Sequence, residues 1–109
     1  MASHIDVQLG EYNRTIQSNM VAVQADLRFK ARAGAAAHSP GVSTDGGGPA
    51  MYDVYCAHNY HFVIYGALFT GQYTIAKLTA LELRAQLPLF SGANVFGEMI
   101  DLLEVVFLI

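Results

Sequence analysis

The chain has 109 residues, of which 53% are hydrophobic and 14% charged, a balance that excludes a disordered tail and implies heavy burial within one modest core. A net charge of −3 provides no electrostatic footprint for nucleic acid or an anionic membrane surface. The single cysteine, Cys56, excludes an intrachain disulfide and a cysteine-based zinc framework, and suits a reducing compartment.

The opening MASHIDVQLGEY has neither a basic n-region nor a long apolar core, so it does not read as a signal peptide. No stretch reaches the roughly 18–20 apolar positions of a membrane span. The expected setting is therefore soluble and cytoplasmic. A short first helix runs through His4-Ile5-Asp6-Val7-Gln8-Leu9 and ends at Gly10, the residue type that helix C-termini favour.

Residues 11–32 place Tyr12, Ile16, Met20, Val23 and Leu27 three and four apart, which predicts one buried helical face. Asn13, Arg14, Gln17, Gln24 and Arg28 fall largely elsewhere on the wheel. Residues 33–50, AGAAAHSPGVSTDGGGPA, change character: Gly46 to Gly48, Pro40 and Pro49 read as a flexible Gly/Ala/Pro-rich insertion between two helical units. This run is no phosphate loop, because no Gly-Lys-Ser/Thr follows it.

From Tyr52 to Thr70 the chain is apolar on nearly every side, the mark of a helix sandwiched between neighbours, and Gly71 ends it. Tyr73 to Leu87 is amphipathic and is stopped by Pro88. After a loop over 88–94, a last helix from about Val95 carries Phe96, Met99, Leu103, Val106 and Phe107 as its stripe and closes on five apolar residues. Such a stripe on a soluble chain calls for a cover, either further repeats of a longer array or a second copy, and a twofold homodimer through this helix is the preferred expectation. No segment alternates as a strand would, so the expected class is all-α, a single domain over 1–109.

One signature occurs twice. Leu9-Gly-Glu-Tyr12 with Thr15-Ile16, Ala22 and Asp26 is answered by Phe69-Thr-Gly-Gln-Tyr73 with Ile75-Ala76 and Leu87-Pro88. In each, a glycine ends one helix, a tyrosine follows two residues later as a structural wedge, and small residues (Thr15, Ala22, Ala76, Ala80) allow helices to approach. Here the chain resembles the tetratricopeptide repeat family, whose second helix opens Gly-x-Tyr-x-x-Ala and closes near Asp-Pro. Gly71, Tyr73, Ala76 and Pro88 match well, whereas Thr15 stands in the first unit where the family has alanine. His4-Ile5…Leu9-Gly10-Glu11-Tyr12 and His58-Asn59-Tyr60-His61-Phe62 also look like segments of bacterial tetratricopeptide proteins of unassigned activity. The two glycines lie 61 positions apart, against a family period of about 34, and the 33–50 insertion absorbs the excess. The resemblance covers about residues 2–32 and 52–88. It implies antiparallel helix hairpins in a right-handed superhelix fragment, plus the C-terminal helix.

The resemblance also implies a function, protein–protein interaction or scaffolding without catalysis or a cofactor. In the family the first helix of each pair lines a groove for peptide partners. Carried over by position, His58, Asn59, His61, Tyr65 and His4 become the groove-facing candidates. The strong basic clamp of some members is missing.

CAHNYHF, residues 56–62, supports a second reading as a metal or ligand site. His58 and His61 are three apart, and counting from the repeat glycines makes His4 the counterpart of Tyr65, so His4, His58 and His61 become candidate ligands. Cys56 lies about 200° round a helix from His58 and reads as a small buried residue rather than a ligand or nucleophile. No HExxH pattern or adjacent carboxylate offers a general base.

Overall fold

The computed structural model describes residues 2–36 and 49–86. Every regular element among them is helical: α1 (Ala2–Gln8), α2 (Tyr12–Ala36), α3 (Pro49–Phe69) and α4 (Tyr73–Gln86). None of these helices is long and apolar enough to cross a membrane. The loop over 88–94, the helix expected from Val95 and the self-association stripe it carries lie outside the described residues.

The expected 33–50 insertion is helical at both margins. α2 continues four residues further than its apolar periodicity, to Ala36, because Ala33, Ala35 and Ala36 are strong helix formers that offset Gly34. α3 starts at Pro49 rather than Tyr52. Proline is well tolerated there, since the first helical N–H has no partner within the helix and the ring presets φ.

Two bends organise the chain, and they are built alike. Gly10 and Gly71 take φ of +77° and +70°, a region glycine enters without a Cβ clash. Gly10 N–H donates to Val7 O and Glu11 N–H to Asp6 O, at 3.1 and 2.8 Å. Gly71 N–H donates to Leu68 O and Gln72 N–H to Ala67 O, at 3.2 and 2.8 Å. Both pairs satisfy the last carbonyls of a helix in the Schellman pattern. The next helix then opens at the same offset, with Thr15 N–H on Glu11 O and Ala76 N–H on Gln72 O. Gln72 also ties the bends together, its amide donating to Asn13 Oδ1 and Thr70 Oγ1 at 2.9 and 2.8 Å.

Neighbouring helices run antiparallel, as the residue pairs across each interface show. Ser3 meets Asn19 and Asp6 meets Arg14 between α1 and α2. Tyr12 meets Phe69 and Asp26 meets Asn59 between α2 and α3, while Tyr60 meets Glu82 between α3 and α4. α3 is therefore the sandwiched helix its composition implied. Its Cys56, Tyr60, Val63, Ile64 and Ala67 form the centre of the core, closed by Ile16 and Val23 of α2 and by Ala76, Ala80 and Leu83 of α4.

Two positions depart from the expected faces. Met20, assigned to the buried stripe of α2, is 45% exposed, and Asn19 is buried in its place. Asn19 sits where α2 meets the short polar α1, and its amide donates to Thr15 O at 2.7 Å and Ser3 Oγ at 2.8 Å, so its burial leaves no donor unpaired. The two tyrosine wedges also differ. Tyr12 stacks on Phe69 at 5.0 Å between α2 and α3, whereas Tyr73, 39% exposed, lies under the Lys77 ammonium at 5.8 Å.

Candidate functional site

The outer face of α3 carries Tyr55, His58, Phe62, Tyr65 and Phe69 at alternating spacings of three and four, one stripe opposite the buried Cys56, Tyr60 and Ala67. Tyr55 and Phe69 at its ends are 58% and 56% exposed, and the three residues between them are half-buried. α1 lies along one side of this stripe. Its His4 packs edge-on against Phe62 at 4.8 Å, and Phe62 makes the same contact with His58 at 4.8 Å. Further along, Tyr65 meets Phe69 at 4.6 Å, and Tyr12 stacks on one side of the Phe69 ring.

The five groove candidates separate on this geometry. His4, His58 and Tyr65 share the α1–α3 face, His4 Nε2 lying 3.4 Å from His58 Nε2. Asn59 does not join them. Its side chain is turned to the other side of α3, where Nδ2 donates to Asp26 Oδ2 at 2.8 Å, because a half-buried carboxylate on α2 offers a stronger acceptor than water along the groove. His61 is half-buried one step round the helix. Among the described residues no three His, Cys, Asp or Glu side chains converge so as to hold a metal ion, so His61 does not complete a three-ligand set with His4 and His58. Cys56 is fully buried.

Burial, reinforced by His4 and then His61, pushes the His58 pKa below the ordinary imidazole value. Its ring is therefore uncharged at neutral pH. The stripe itself contains no Lys, Arg, Asp or Glu. What the arrangement can do is stack, bury apolar groups, exchange hydrogen bonds through imidazole and phenol, and donate imidazole lone pairs.

Reading the sequence for polar ligands passed over Tyr55, Phe62, Phe69 and Tyr12, which make up much of this face. Their signal was present as the three–four spacing along α3, but a helix apolar on every side gives no contrast by which to choose the exposed stripe. Asp26, the partner that removes Asn59 from the face, carried no local signal. Comparison with protein-family models, with curated proteins and with solved structures finds no significant match for the chain.

Proposed function

We propose that this chain is a tetratricopeptide-like interaction module, bacterial and cytoplasmic, that binds a peptide or protein segment on the α1–α3 face and has no catalytic role. The observation that carries the reading is the aromatic stripe of α3, open at Tyr55 and Phe69 and flanked by α1. Exposed aromatics beside hydrogen-bonding imidazoles are the side chains that dominate binding energy at protein interfaces. The equivalent bends at Gly10 and Gly71 support the family reading, since they set α1 and α3 at corresponding places in two helix pairs. A stripe without charged side chains suits a segment presenting apolar or aromatic side chains. Homodimerisation through the apolar stripe expected within residues 95–109 belongs to the same proposal, and light scattering over a concentration series tests it.

The binding test is selection of displayed peptides on wild-type protein, followed by affinity measurement against Tyr55→Ser and Tyr65→Ser. Truncating an interface anchor costs about 2 kcal/mol or more, roughly thirtyfold in affinity. Peptides that lose affinity on this scale support the reading; peptides that bind both variants as tightly as wild type defeat it.

A further inference from the structure

Beyond peptide binding, we propose that His4 and His58 form a two-imidazole site for one transition-metal ion of the zinc, nickel or copper class, which fastens α1 to α3. The two Nε2 atoms are 3.4 Å apart. That separation allows one long N–H···N hydrogen bond, with the tautomer deciding which ring donates. It also matches a shared metal. Two imidazole nitrogens, each about 2.0–2.1 Å from a tetrahedral ion, lie about 3.3–3.4 Å from each other.

The rings are also held in place by packing. Phe62 presents its ring to both imidazoles at the same 4.8 Å, with interplanar angles of 83° and 87°, so one side chain supports the two ligands together. With the proton of each ring on Nδ1, both Nε2 atoms have a lone pair to give to a metal. A metal ion replaces the proton that the pair would otherwise share.

Two protein ligands on an exposed edge leave the remaining coordination positions to water or to a group brought by a partner. Neutral imidazoles select Zn²⁺, Ni²⁺ or Cu²⁺ over Mg²⁺ and Ca²⁺, which require oxygen ligands. The ligands are 54 positions apart in the chain and meet only after folding, so bound metal stabilises the native state. α1, with 7 residues, is too short to hold its helix alone and gains most from the link.

The test is calorimetric titration of untagged, metal-free protein with Zn²⁺ or Ni²⁺ at neutral pH, with Mg²⁺ as control and thermal melting as second readout. Expected are one ion per chain, a raised melting midpoint, and no response to Mg²⁺. Losing even an outer partner of a metal ligand costs about 10–100-fold, so His4→Gln and His58→Gln should each weaken binding roughly a hundredfold. His61→Gln should bind as wild type does. His4 is exposed, so His4→Gln keeps the fold, and circular dichroism verifies it. Absence of binding, retention of it in His4→Gln, or an equal loss in His61→Gln overturns the proposal.

Discussion

Asn59 donates to Asp26 Oδ2 at 2.8 Å across the α2–α3 interface, a bond between residues 33 positions apart. Both side chains are half-buried, so neither is fully supplied by solvent if the other is removed. A hydrogen bond to a charged group contributes about 1.5–3 kcal/mol. Asn59→Ala and Asp26→Ala should each lower stability by about 1–3 kcal/mol, and the double variant should cost less than their sum. Denaturant melts of the four proteins measure the coupling. Peptide affinity should be unchanged in Asn59→Ala; a loss of peptide binding with stability intact would instead put Asn59 in the groove.

Glycine-to-alanine substitution should separate two kinds of glycine. Within a helix it ordinarily stabilises by about 0.5–1 kcal/mol. At Gly66 a Cβ would lie 3.0 Å from Ile16 Cγ1 and 3.1 Å from the Tyr12 carbonyl oxygen, and the carbonyl is backbone that cannot swing away. Overpacking of this kind costs about 1–3 kcal/mol and outweighs the helix gain. At Gly71 nothing lies within 4 Å, and the cost is the positive φ alone, about 1–2 kcal/mol. Gly71→Asn should recover part of that loss, whereas Gly66→Asn should be worse than Gly66→Ala. Urea midpoints at constant m give the answer.

The imidazole pair should make the fold acid-sensitive. The folded pKa of His58 is depressed, through burial first and then His4 and His61, below the value near 6.5 of an unfolded histidine. Between those two pKa values the unfolded chain binds more protons than the native one, so stability rises with pH there. The contribution is present above about pH 6.5 and is lost as pH falls through the folded value. His4→Gln removes one source of repulsion and should flatten the stability profile below about pH 6.5. Thermal midpoints across that range, with the His58 titration followed by NMR, check both halves. A profile unchanged in His4→Gln would contradict the assignment.

Tyr60 should act at the other end of the scale. Its ring is buried in the core and its hydroxyl donates to Glu82 Oε1 at 3.0 Å. Burial, then the bond to Glu82 and its charge, push the phenol pKa well above the ordinary value. Above about pH 10 the unfolded tyrosine ionises while the native one does not, so the unfolded state gains and stability falls. Tyr60→Phe should lose about 0.5–1.5 kcal/mol at neutral pH for the missing bond. It should then decline less steeply than wild type above about pH 10. Equal alkaline slopes for the two proteins would rule out Tyr60 as the group responsible.

How far the site could be read in advance follows from the same residues. The 61-position offset between glycines pairs His4 with Tyr65, and the structure sets His4 beside His58 on the same face. The buried face of α2 was legible at Ile16 and Val23 but not at Asn19, because hydropathy ranks an amide as exposed whatever bonds await it. Asn59 and Asp26 each look like surface residues on their own helix, and only their pairing explains why the asparagine leaves the face it was assigned to.

Backbone chemistry is local, and so the sequence alone determined the helical class, the sandwiched character of α3 and the bends at Gly10 and Gly71, where a residue lacking Cβ is needed for φ near +70°. Side-chain partnership is not local. Tertiary structure decided that Asn19 is buried and Met20 exposed, that Asn59 turns to α2, and that His4 rather than His61 stands opposite His58. The reason is that a polar group's place is set by the donor or acceptor it meets across an interface, and those groups come from segments far apart in the chain.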